Sequence, residues 1–328
     1  MSVETNSAVQ TKPSGASALM QRLVSSGVIV AFLVLFIALS ALVPNFFTPR
    51  NLQGLLLSVS LIGCIASTMM LVLALGEVDL SVASIVAFSG VAAALVTTGL
   101  HSAFAGVLAG IAAGALVGLV NGTIVAAFRI NSLIATLATM EIVRGLAYIT
   151  SSGDAVIVGE QSFFEIGASA WMGLSAPIWV NLGIFVLFGW LLNYTVFGRN
   201  VLAIGGNGEA ARLAGLSVTR IRIVVFLLQG AVSGLAGVLL ASRMSLGDPK
   251  TSIGLELGVI SACVLGGVSL SGGVATISGV IVGVLIMGCV QNAMSLLNVP
   301  TFYQYVVRGS ILLLAVLFDR WRRAGRTR

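Results

Sequence analysis

Glu77 and Asp79 stand two apart in Leu75-Gly-Glu-Val-Asp-Leu-Ser81, a glycine-bearing break between long apolar runs. Carboxylates at such a break have two uses. They can accept hydrogen bonds from a hydroxylated solute, or they can satisfy backbone N–H groups freed at the start of the next helix. The second use carries more weight here. Glu141 and Arg144 are a second charged set, three apart inside the apolar segment Ser132–Thr150. Unpaired charge in lipid costs a few kcal/mol or more, so this spacing predicts an intrahelical ion pair facing the interior of a helix bundle. A proton relay would need a chain of carboxylates or histidines, and none accompanies the pair. Catalysis finds little else to use. Cys64, Cys263 and Cys289 all lie in apolar segments and read as small core residues. His101 is the single histidine, in a loop, so it has no role here and a His-based metal site lacks partners. No G-x-x-x-x-G-K-[ST] is present, so the chain has no phosphate-cradling loop of its own.

These residues must be positioned by membrane helices. The chain has 328 residues, 58% hydrophobic and 9% charged, with mean hydropathy +1.08. A soluble domain carries about 25% charged residues. Spans of about 20 apolar residues are predicted at Val24–Val43, Leu55–Leu75, Leu80–Thr98, Ala103–Phe128, Ser132–Thr150, Ala176–Tyr194, Ile223–Ser242, Val274–Asn292 and Phe302–Phe318, with a shorter one at Glu256–Leu265. That makes about ten transmembrane helices in an all-α polytopic membrane protein. The first run is too long for the apolar core of a cleaved leader, although Ala38-Leu-Ser40 has small residues suited to cleavage. Residues 1–22 read as a cytosolic disordered tail, 23–318 as the transmembrane domain and 319–328 as a basic cytosolic tail.

The net charge of +6 bears on orientation, and no nucleic acid partner is expected. With both termini in the cytosol, twelve Lys and Arg fall on the cytosolic side, including Lys12, Arg22, Arg129 and the four of the Phe197–Arg222 segment. Three (Arg50, Arg243 and Lys250) fall outside, and Arg144 and Arg308 lie within spans. That is the positive-inside asymmetry. The largest outer loop, Ser151–Ser175, has no Lys or Arg.

Two internal patterns stand out. Leu75-Gly-Glu-Val-Asp-Leu-Ser81 and Leu265-Gly-Gly-Val-Ser-Leu-Ser271 agree at five of seven positions. Glycine-interrupted segments at matched places in two halves point to a solute path, which would enlist Glu77, Asp79, Ser81, Ser269 and Ser271. Gly106, Gly110, Gly114, Gly118 and Gly122 recur every four residues and form one stripe, suited to close helix packing.

The longest polar break is Phe197–Arg222, with Arg199, Arg212, Arg220 and Arg222. Ile204-Gly-Gly-Asn207 reads as a turn in which Gly205 and Gly206 supply freedom and Asn207 caps a helix. Glu209–Ala214 reads as that helix, with Glu209 in its first turn and Gly215 as its stop. Ala210, Leu213 and Ala214 share one small apolar face.

Here a resemblance becomes specific. Glu209-Ala210-Ala211 followed by Gly215 resembles the coupling loop of ATP-binding-cassette importer permeases, and FGRNVLAIGGNGEAARLAG resembles the ribose/monosaccharide permease family in particular. GEVDLSVASIVAFSG is similar to that family's glycine-rich signature, with Glu77 in place of a glycine and Ala83 in place of the last one. The resemblance, which runs from about Leu23 to the C-terminus, implies a type II importer fold with two pseudo-symmetric halves. It implies a second copy of the chain, a cytosolic ATPase that binds ATP and Mg²⁺, and a periplasmic sugar-binding protein. The chain itself is expected to hold no cofactor or metal, only lipid around it. The implied cargo is a monosaccharide, L-arabinose first, with ribose, xylose and galactose as alternatives. A secondary transporter, a channel or a membrane enzyme would require mid-membrane ion sites or a nucleophile–base set, for which the candidates are few.

Overall fold

In the computed structural model residues 15–324 are described, and side chains from 27 to 317. Most of the described chain is helical. In order it forms α1 (Gly15–Leu42), α2 (Pro49–Ala74), α3 (Val82–Leu100), α4 (Ala103–Ala126), α5 (Ser132–Thr150), β1 (Val156–Ile157), α6 (Gln161–Ala168), β2 (Ala170–Trp171), β3 (Leu174–Ser175) and α7 (Ala176–Tyr194). There follow α8 (Val196–Gly206), α9 (Gly208–Leu213), α10 (Val218–Met244), β4 (Leu246–Gly247), α11 (Leu255–Leu265), α12 (Ile277–Leu296) and α13 (Thr301–Ala324).

Every segment read as a span is helical. Among the described residues seven helices are long and apolar enough to cross a membrane: α2, α3, α4, α5, α7, α10 and α12. The apolar stretches Gly27–Leu42, Leu255–Leu265 and Thr301–Leu317 are shorter. The helix ends are chemically marked. Thr48 precedes Pro49 and accepts from the Asn51 N–H, and Asn131 accepts from those of Leu133 and Ile134. Left-handed His101 and Ser245 close α3 and α10. The helix α1 starts at Gly15, inside the polar stretch read as a disordered tail, and Lys12 and the last four residues lie outside the described part.

Three features organise the packing. The helix α2 is the central post, with nearly every residue from Val59 to Ala74 buried. The glycine stripe of α4 lies against α10 and α3. A Cβ on Gly114 would strike Gly230 O, and one on Gly118 would strike Phe226 O. The facing glycines Gly230, Gly234 and Gly237 of α10 would in turn meet Gly114, Gly110 and Val86 carbonyls. Two glycine rows therefore interdigitate, and the backbones approach closely enough for dispersion to replace the missing hydrophobic drive in lipid. The third feature is Ser151–Ser175, which is ordered rather than an open loop. The strand β1 pairs antiparallel with β4, Val156 opposite Gly247, and β2 pairs with β3. Phe163 of α6 is fully buried, and the Ser242 hydroxyl donates to its carbonyl at 2.6 Å. His101 Nδ1 lies 2.9 Å from Glu160 Oε1 at this surface.

Candidate functional site

The polar break Phe197–Arg222 is two helices and the start of a third. The helix α8, capped by Thr195, buries Gly198, Val201 and Ile204 at helical spacing and leaves polar residues outside. The expected turn at Ile204–Asn207 is corrected: α8 runs through Gly205 and Gly206 and breaks only at Asn207. Glycine is needed at 205 for room. A Cβ there would overlap the Ala74 carbonyl and sit 2.7 Å from Gly273 N. Gly273 N–H donates to that same carbonyl at 2.9 Å. Gly76 (φ +76°) faces Ser271 O, and a Cβ on Gly272 (φ +81°) would stand 2.9 Å from Gly76 N. The two similar segments thus meet each other and α8 at one junction of backbones.

Asn207 caps α9 as read, its side chain accepting from Ala210 N–H at 3.0 Å. Gly215 takes φ +86°, and its N–H donates to Arg212 O, a left-handed stop that a Cβ would strain. Ala211 turns inward at 6% exposure, while Leu213 is 83% exposed and Ala210 and Ala214 are exposed beside it. Glu209 and Arg212 pair at 3.1 Å in the open, a contact worth little in water. At the base of α10, Arg222 pairs with Glu77 at 3.2 Å, with 28% and 14% of the side chains exposed. The first break is thereby tied to the helix that follows α9.

Asp79 does backbone work. Its Oδ1 accepts from the Ser81 N–H at 2.9 Å and hydroxyl at 2.6 Å. Asn121 Nδ2 of α4 then donates to Ser81 Oγ at 2.8 Å. The N–H groups of Val78 and Leu80 donate to Ser132 and Thr136 of α5. Burial raises the Asp79 carboxyl above its ordinary range, and the two Ser81 hydrogen bonds pull it back down. Ser269 is buried and Ser271 exposed, both in the second break.

The expected ion pair between Glu141 and Arg144 does not form. Arg144 Nη1 instead donates to Pro249 O at 2.6 Å and Thr251 O at 2.9 Å, and Glu141 is exposed and in no ion pair among the described residues. A guanidinium on a long stem reaches the segment joining α10 and α11, whose free carbonyls need donors. Arg308 of α13 does the same, donating to Gly254 O at 3.1 Å. Neither arginine partner was legible locally, since each contact spans more than fifty residues of sequence.

Residues 51–316 match the family of branched-chain amino acid transport system permease components. The chain belongs to that family. As a permease component it moves a solute across a membrane and is not itself an enzyme. The permease is 71% identical over 298 residues to the L-arabinose ABC transporter permease protein of Azospirillum brasilense, covering 91% of this chain and 88% of that one. It is 56% identical to the L-arabinose transport system permease protein of Escherichia coli, over 90% of both. The ribose import permease protein of Escherichia coli is 39% identical, over 89% of the permease and 92% of that relative. No solved structure matches the permease.

Proposed function

We propose that this chain is the membrane-spanning subunit of an ATP-binding-cassette importer that carries a monosaccharide, L-arabinose, across the bacterial inner membrane. The identity of 71% to a permease named for that sugar supports the substrate, against 39% for one named for ribose. In this reading the seven long spans and three shorter apolar helices make ten crossings in two pseudo-symmetric halves, with both termini in the cytosol. Two copies enclose the sugar path, and a periplasmic binding protein delivers the sugar. A cytosolic ATPase, which holds the ATP and Mg²⁺, grips α9. Glu77, Asp79, Ser81, Ser269 and Ser271 belong to the two breaks beside the path, Asp79 and Ser81 as its scaffold.

The observation that carries the coupling role is α9. Six residues are too few for a helix to persist alone in water. Here it is held by the Asn207 cap, the Gly215 stop and buried Ala211, and it presents Ala210, Leu213 and Ala214 outward. An apolar helix face of this kind suits docking in a groove. Ala214→Asp would bury an unpaired charge in that groove, costing on the order of several kcal/mol. We expect this variant to accumulate normally but to lose the ATPase in pull-down and lose labelled L-arabinose uptake, while Arg212→Ala stays near wild type. Retention of both ATPase and uptake in Ala214→Asp overturns the coupling assignment.

A further inference from the structure

Glu141 is the tenth of nineteen residues in α5, about 14 Å from either end at 1.5 Å per residue. It is exposed, and it makes no hydrogen bond or ion pair among the described residues. Ile134, Leu137 and Ile142 are exposed around it, and Arg144 lies one turn on. An ionisable group at that depth is expensive in hydrocarbon, and such residues turn toward a bundle interior or a water-filled path. The surroundings leave room for a ligand. Ala138 and Gly145, one turn to either side, are the small members of this face, and a Cβ on Gly145 would meet nothing within 4 Å. Arg144, one turn on, acts on Glu141 only as a nearby charge, while its Nη1 donates to the carbonyls of Pro249 and Thr251.

We propose that the exposed face of α5 lines the sugar path and that Glu141 binds the transported monosaccharide by accepting hydrogen bonds from its hydroxyls. This rests on the sugar-permease reading above. A carboxylate has only acceptors to offer and a sugar presents adjacent hydroxyl donors, so the match is direct. A charged acceptor also makes the stronger bond. The small residues on either side let a ring approach the helix.

The test is Glu141→Cys in a chain whose native Cys64, Cys263 and Cys289, all buried, are replaced by serine or alanine. Membranes containing the permease with its ATPase and binding protein are treated with a charged, membrane-impermeant methanethiosulfonate, with and without L-arabinose. The thiol at position 141 should react, and saturating L-arabinose should slow the reaction several-fold. Glu141→Gln should lower maximal uptake about tenfold, the scale of a lost hydrogen bond to a charged group, with ATPase pull-down unchanged, and Glu141→Asp should recover part of the rate. The proposal is overturned if position 141 reacts only with a lipophilic maleimide or not at all, or if Glu141→Gln transports at the wild-type rate. Wild-type uptake and ATPase pull-down are scored in parallel. If both are normal while position 141 is silent, only the Glu141 assignment falls. If wild type binds no ATPase and imports no sugar, both readings fall.

Discussion

Glu77 occupies a place where the resembling signature has glycine, and its partner explains the exchange. Arg222 lies 3.2 Å away at the foot of α10, and its Nε is buried without a hydrogen bond. Removing Glu77 would leave that cation without the charged partner it has among the described residues, while Arg222→Gln would strand a largely buried carboxylate. A hydrogen bond to a charged group contributes about 1.5–3 kcal/mol. We expect Glu77→Gln and Arg222→Gln each to lower the thermal midpoint of detergent-purified protein. The reversed pair, Glu77→Arg with Arg222→Glu, should recover at least half of the loss. If the losses of the reversed pair simply add, the two side chains do not act together. The same scale explains Gly205, whose missing Cβ lets α8 touch the Ala74 carbonyl. The residue types at this junction are dictated by space and charge at contacts between remote segments.

The elements divide into those held by their own sequence and those held by neighbours. The caps and stops of α9 sit within nine residues of one another, so its boundaries are local. The pairing of α4 with α10 is not local. Glycine is a poor helix residue, costing about 0.5–1 kcal/mol relative to alanine, and two rows of it persist because the crossing leaves no room for side chains. Gly118→Leu would drive a branched chain into Phe226 O and Gly230. Overpacking typically costs 1–3 kcal/mol, occasionally more. The variant should therefore show reduced abundance and a lowered unfolding midpoint. Gly183→Ala in α7 is the counterpart, because a Cβ there meets nothing within 4 Å. It should be neutral or raise the midpoint slightly. Equal destabilisation by the two changes would mean that the close crossing does not set the cost.

At the scale of the whole molecule the orientation of the spans decides which surface meets which partner. The 12 to 3 distribution of Lys and Arg predicts that a reporter fused after Arg328 is active only as a cytosolic enzyme. One inserted at Gly173, in the β2–β3 turn, should be active only outside. Outer activity at Arg328 would invert the bundle and place α9 on the side away from any ATPase. Of the charges that carry this asymmetry, Arg212 of α9 and Arg220 of α10 are exposed.

Hydropathy alone established the membrane class and located apolar segments that are helical in the structure, seven of them long enough to span among the described residues, because the cost of backbone in lipid acts on each segment separately. Local chemistry marked α9 just as well, through Asn207 and Gly215, and the four-residue period of Gly106–Gly122 announced a packing face. The partner of that face was decided only in three dimensions, as was the reason for Gly205. The pairing of Glu77 with Arg222 and the turning of Arg144 toward Pro249 and Thr251 rather than Glu141 were decided there too. Helical spacing describes neighbours on one helix, and it predicted an i, i+3 pair for Arg144. A long flexible cation, however, settles where unpaired carbonyls offer the larger gain, and those carbonyls lie 105 and 107 residues along the chain. Contacts of that range carry no period in the sequence, so they emerge only once the helices are packed.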